Sequence, residues 1–159
     1  MGDAVTRLTP QNPDFAARVR DSFARQGAMA LVGAEIVRLD PGAVDVAVAF
    51  RPELSQQHGY FHGGVVTAIA DTACGYAAYT TMPEDSSVLT VEFKINLMNP
   101  AAGNRLRAEA NVHKAGRTLV VVGATVTVLR ADKVVACGEM LGTFIVLRNT
   151  SDVEQRVHT

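Results

Sequence analysis

The sequence predicts an α+β fold in which one antiparallel sheet of about six strands wraps a single buried helix. Three observations carry the prediction. Residues 63–79 are rich in alanine and other small residues and are apolar nearly all round, as a helix covered on most sides must be. Two strand-like runs precede that segment and four follow it. Tight-turn residues separate the later runs, which makes neighbours antiparallel and excludes a doubly wound parallel sheet.

Residues 1–11 are mixed and polar and read as a flexible lead. Asn12-Pro13-Asp14 is a helix start, with a capping residue, a proline at the first position and an early acid. Phe15, Val19 and Phe23 then recur at four-residue spacing, and Gly27 is the expected stop. This helix is a cover element. Ile36 to Leu39 and Val44 to Phe50 read as strands, joined as a hairpin by Asp40-Pro41-Gly42. Residues 51–61 break the alternation and form a loop. The central helix runs from Gly63 to Tyr79 and ends before Met82-Pro83-Glu84-Asp85-Ser86. Strands follow over 88–98, 104–114, 117–130 and 134–147, with Asn99-Pro100, Ala115-Gly116 and Ala131-Asp132 between them. Three such turns in series predict a four-stranded meander. One domain is expected over 12–148, and 149–159 reads as a flexible tail.

Composition narrows the function. Fifteen Lys and Arg balance sixteen Asp and Glu, so nothing marks a binder of nucleic acid. Charged residues are 19% of the chain, against about 25% in typical soluble domains, which points to apolar surface hidden against another subunit. Cys74 and Cys137 lie far apart without a C-x-x-C pattern, so neither a disulfide scaffold nor a cysteine-based zinc site is expected. A reducing, cytoplasmic location fits. No apolar run reaches the roughly 18 residues of a membrane span, and no secretory signal is expected.

Asp71 is the one charged side chain between Glu53 and Glu84. On a helix with no polar face its carboxylate should be desolvated, which raises its pKa unless donors meet it. A catalytic acid and a structural aspartate bonded to a hydroxyl or an amide weigh equally on position alone. His62-Gly63-Gly64 stands where the loop becomes the helix. The first amides of a helix lack internal partners and carry the positive end of its dipole, so the Gly63 amide could polarise a carbonyl. A plain glycine-rich helix entry is the alternative. Gly63 and Asp71 are eight residues apart, about 12 Å along one helix. One reacting carbon needs both groups within roughly 3–3.5 Å. If both act, Asp71 must meet the Gly63 of a second subunit, and a two-fold dimer would create two equal sites. His58 and His62 have ligand spacing only on a helix and lack a third ligand, so no metal site is expected. The Thr90 hydroxyl could hold a water or orient a carboxylate, or Thr90 is simply a strand former.

The stretches Gln56-Gln57-His58-Gly59-Tyr60-Phe61-His62-Gly63-Gly64, Asp71-Thr72-Ala73 and Thr90-Val91-Glu92-Phe93-Lys94-Ile95-Asn96 resemble the hotdog-fold thioesterases of the PaaI type. The likeness continues through Ala115-Gly116-Arg117 and Gly142-Thr143-Phe144 and covers roughly residues 28–147. The resemblance implies hydrolysis of acyl-CoA thioesters, with Asp71 as nucleophile or general base. It implies that Gly63, the residue after the motif His62, offers its amide to the thioester carbonyl from the other subunit. Thr90 and Gln56 would hold the attacking water, with Gln56 standing where relatives usually carry asparagine. Gly64 would adjoin the substrate, and Tyr60, Val66, Ile69 and Ala70 would line an apolar acyl pocket. Lys114 and Arg117, with Arg130 and Lys133, are candidates for the coenzyme A phosphates, against the alternative of solvated turn charge. An obligate homodimer, assembled as a dimer of dimers, is expected, with no cofactor, nucleic acid or membrane partner. A hotdog hydratase or dehydratase and a non-catalytic acyl-CoA-binding protein are the rivals.

Overall fold

The computed structural model describes residues 8–150 and Asp152, so most of the lead expected over 1–11 and of the tail expected over 149–159 lies outside the described residues. Helix α1 spans Phe15–Ala24. The Asn12 side chain accepts from the Asp14 amide at 2.8 Å, an Asx turn that feeds the chain into it. Gly27 is not the stop. Gln26 is extended, and Gly27 opens a second helix, α2, over Gly27–Val32. The glycine stop belongs to Gly33, left-handed at φ +70, one helix later than the sequence reading placed it.

β1 (Ala34–Asp40) and β2 (Ala43–Ala49) form the expected hairpin. Gly42, at φ +76, turns it and donates its amide to Thr80 Oγ1 at 2.7 Å, tying the tip to the end of the central helix. That helix, α3, covers Gly63–Tyr79. β3 (Ser86–Leu97), β4 (Arg105–Ala115), β5 (Leu119–Arg130) and β6 (Lys133–Arg148) follow. The sheet order is β1-β2-β4-β5-β6-β3, antiparallel throughout. Only β4, β5 and β6 form a meander, so the four-stranded meander is corrected. β3 pairs with β6 at the far edge, and residues 98–104 cross back to β4. Asn99-Pro100 is therefore the start of a crossover. It passes the N-terminal end of α3, where the Ala101 carbonyl accepts from the Phe61 amide at 3.1 Å.

The core lies where the curved sheet closes on α3. Ile69, Ala70, Ala73, Cys74 and Ala77 are fully buried, packed with Val46, Leu106, Val122 and Phe144 from the strands. Small helix residues let the strands approach closely on several sides, and the branched strand residues fill the space. α1 closes the open flank with Val19 buried and Phe23 edge-on to Tyr76 at 5.8 Å. β3 is different. Both its faces are largely exposed, including Leu89, Val91, Phe93 and Leu97, and its outer edge carries no neighbour among the described residues. Among the described residues no helix is long and apolar enough to cross a membrane.

Candidate active site

Local structure at the start of α3 is set by its cap. His62 is extended, and its Nδ1 accepts from the Gly64 amide at 2.8 Å. That bond makes Nδ1 the acceptor and leaves Nε2 to carry the ring hydrogen. The His62 carbonyl accepts from the Val65 and Val66 amides. The Gly63 amide alone in this turn donates to no group among the described residues. It points out at the positive end of the helix dipole, which makes it an acceptor-seeking group. A Cβ at position 63 would stand 3.0 Å from Leu97 Cδ1, so a larger residue here must displace the end of that side chain.

The loop before the cap is held from both sides. The His62 amide donates to Leu54, Phe61 packs edge-on to Phe50 at 5.1 Å, and Gly59 turns at φ +78. Gln56 uses its side-chain oxygen on the His58 amide. Around Gly63 these residues shape a depression of about 450 Å³, with Gln56, His58, Tyr60 and Val66 on one side and Leu97 to Ala101 on the other.

Asp71 lies two turns on, in a second cleft of about 220 Å³. It is half-buried and accepts from Thr90 Oγ1 at 2.9 Å. Burial pushes its carboxyl above the usual carboxylate range, and the Thr90 hydrogen bond opposes that rise. Cys74, three residues on, is buried and pushed up to about 12, first by burial and then by the Asp71 charge, so it stays a thiol.

The structure thus brings Gly63, Gln56, Tyr60 and Val66 together, and separately joins Asp71 to Thr90. It does not bring the two sets together within one chain. Ile69 and Ala70 are fully buried and line neither depression of the single chain. Gly64 spends its amide on His62, so that amide is not free for a substrate. Lys114 and Arg117 are exposed at the β4–β5 hairpin and form no ion pair among the described residues. Strand register puts Leu119 opposite Ile145 and Ile145 opposite Leu89, so that hairpin shares the Thr90 end of the sheet. The second cleft also contains Ser22 from α1, Gln26 from the junction before α2 and Tyr76 from α3, none of them expected from the sequence. Among the described residues no three His, Cys, Asp or Glu side chains cluster as a metal site would need.

Comparison with known proteins bears on this arrangement. The sequence model of a family described as the thioesterase superfamily matches residues 58–135. A thioesterase family protein from Silicibacter pomeroyi has a similar structure, with a TM-score of 0.83 and 47% identity, covering 84% of this chain and 98% of its own. The PaaI protein of the E. coli phenylacetic acid degradation operon shares the fold, with a TM-score of 0.74 and 19% identity over 87% of this chain and 95% of its own. The 1,4-dihydroxy-2-naphthoyl-CoA hydrolase of Listeria monocytogenes is 26% identical over 95 residues, 60% of this chain and 77% of its own.

Proposed function

The chain belongs to the thioesterase superfamily and has the hotdog fold, and from that premise we propose that it hydrolyses acyl-CoA thioesters in sites shared by two copies of the chain. The carrying observation is the separation of an unspent amide, Gly63, from a half-buried carboxylate, Asp71, into two depressions of one protomer. The similarity to a hydrolase of a CoA thioester supports the substrate class.

The edge strand supports the sharing. The outer edge of β3 has no neighbour among the described residues and the strand exposes Leu89, Val91, Phe93 and Leu97, as an association surface would. Leu97 adjoins Gly63 at one end of β3, and Thr90 bonds Asp71 nearer the other. Two β3 strands pairing antiparallel with Phe93 of one copy opposite Lys94 of the other would set Leu97 of one copy opposite Thr90 of the other. Gly63 of one copy then approaches Asp71 of the other, twice by symmetry.

In such a site the thioester oxygen accepts from the Gly63 amide, and the helix dipole stabilises the charge that develops on it. Thr90 holds one oxygen of Asp71 and leaves the other free. That free oxygen attacks the carbonyl carbon, or takes a proton from a water that does. Gln56 has an unspent side-chain NH₂ at the rim of the Gly63 depression and can donate to that water. The carbon–sulfur bond then breaks, and where Asp71 itself attacked, water cleaves the acyl anhydride left on it to release the acid and restore the carboxylate. The thiolate has a parent pKa of about 8.5 and needs little acid help to leave. Exposed Lys114 and Arg117 at the Thr90 end are free to meet phosphates of coenzyme A.

The test is release of coenzyme A thiol from a panel of aryl and aliphatic acyl-CoA thioesters, with enoyl thioesters included to detect hydration. The expected result is hydrolysis by the wild type and a fall of about 10²–10⁴-fold in Asp71→Asn. Tight thioester binding without turnover by either protein would replace hydrolysis with binding alone.

A further inference from the structure

A depression of about 880 Å³ lies at the tip of the β1–β2 hairpin and shares no lining residue with the two that hold Gly63 and Asp71. Three strands build it. In register, Asp40 of β1, Ala43 of β2 and Asn111 of β4 stand in one row. Val44 and Val46 are in the core, so by alternation Ala43 takes the face of the sheet turned away from α3. Neighbouring strands are about 4.8 Å apart, so Asp40 and Asn111 stand roughly 10 Å from each other across that small, buried alanine. Both flanking strands are bulged here. The pairing slips between Ile36 and Arg38 in β1 and between Val112 and Lys114 in β4, while β2 and β4 pair without a break. A bulge re-aims the side chains beside it, and these two bring Arg38 and His113 to the same depression. The His113 ring lies over Gly123 of β5, where any Cβ would overlap it.

The polar groups of this depression are largely unspent. Arg38 Nε donates to Asp40 Oδ2 at 2.7 Å, which orients the guanidinium and leaves both Nη groups without a partner among the described residues. The Asn111 amide and the His113 imidazole also bond to no group among the described residues. The remaining wall is apolar, with Leu8, Pro41 and Val112 around the buried Ala43. Each acid nearby has an arginine of its own: Asp40 has Arg38, and Asp45 and Glu109 on the same face share Arg107.

We propose that Arg38, Asn111 and His113 form a second binding site, for a small organic carboxylate with an apolar body. The two free Nη groups of one guanidinium match the two oxygens of a planar carboxylate. Asn111 and His113 add N–H donors on the far side of the alanine floor, and the apolar wall covers the body of the ligand. Asp40 offsets the charge of Arg38, so geometry selects the ligand more than net charge does. A doubly charged inorganic phosphate meets more repulsion from Asp40 than a carboxylate does. The volume falls in the range of small-molecule sites. An acid freed from a thioester belongs to this class, but the site lies across the sheet from α3 and stands without the hydrolytic reading.

The test titrates the full chain with benzoate and hexanoate, and with benzamide, hexanamide and inorganic phosphate as counterparts. Affinity is read by calorimetry, and place by the backbone amide shifts in NMR. Both acids should move the amides of Ala43, Asn111 and His113 and bind there at least about tenfold tighter than the two amides or phosphate. Arg38 is exposed, so its variants should keep the fold. Arg38→Gln and Arg38→Lys should each weaken the acids by about tenfold, the lysine included because it keeps the charge and loses the paired donors. Asp71→Asn should leave the shifts at Asn111 as in the wild type. Acids that move only the surroundings of Gly63 and Asp71 overturn the proposal. So does phosphate or an amide that binds at Asn111 as tightly as the acids, and so does wild-type affinity in Arg38→Lys. Absence of binding by both acids at about 10 mM overturns it as well.

Discussion

Asp71 carries two opposed influences, burial that raises its pKa and the Thr90 bond that lowers it. If the ionised carboxylate does the chemistry, kcat/KM must rise with pH through that raised pKa and then level off. Thr90→Val removes the opposing bond, so the acid limb should move to higher pH, while Thr90→Ser should leave it in place. A limb that moves to lower pH in Thr90→Val contradicts this electrostatic account. Stability follows the same group. A carboxyl whose pKa is raised on folding weakens the folded state as pH climbs from its ordinary value, about 3.9, through its folded value. Asp71→Asn should therefore melt at or above the wild-type temperature at pH 7, with the difference vanishing in acid. A markedly lower Tm at pH 7 would mean that Asp71 is structural. Asp71 and Gly63 were legible in the sequence because a lone charge in an apolar run and a glycine pair at a helix entry are local signals, whereas Thr90, a common strand former, carried no such signal. Ser22, Gln26 and Tyr76 were not, because α1 and the junction after it meet α3 across some fifty residues of chain. Polar residues on a cover helix also read as its solvent face.

At the scale of elements, α1 has to be held over the cleft to act on it. Arg18 does this. Its guanidinium donates to the carbonyls of Tyr79, Met82, Pro83 and Glu84 and lies 4.0 Å above the Tyr79 ring. It satisfies the carbonyls that follow α3, where a helix end needs donors. Arg18→Ala should cost about 2–3 kcal/mol in denaturant unfolding, since charged hydrogen bonds are lost at a half-buried site. A cost under about 0.5 kcal/mol would mean that the pin is ornamental. The elements themselves were largely readable from period and turn residues. Two were not. α2 is only six residues long and mostly small and apolar, too short for a helical stripe to show. The place of β3 escaped because a sequence read in order pairs consecutive strands. The constraint that sends it to the far edge is the need to enclose α3 from both sides, which is global.

On the proposed reading the whole molecule is incomplete as a single chain. One end of α3 offers an amide, the middle of α3 offers a carboxylate, and β3, whose outer edge has no neighbour among the described residues, runs beside both. The surface of β3 should therefore govern association and activity together. Val91→Lys with Phe93→Lys should give a monomer by sedimentation, with native circular dichroism and no hydrolysis. A folded, active monomer would place the whole site in one chain.

Complementation between two inactive chains reaches the central claim most directly. Asp71→Asn removes the carboxylate. Gly63→Pro removes the amide hydrogen at the first helical position, where proline is tolerated and His62 is already extended. Each homodimer then has two broken sites. A mixed dimer has one site with both defects and one with neither. Unfolding and refolding the two proteins together at equal concentration should return about a quarter of the wild-type rate, because half the dimers are mixed and each holds one intact site. A mixture no more active than its separate parts, with mixed dimers shown to form, would contradict a site shared between copies.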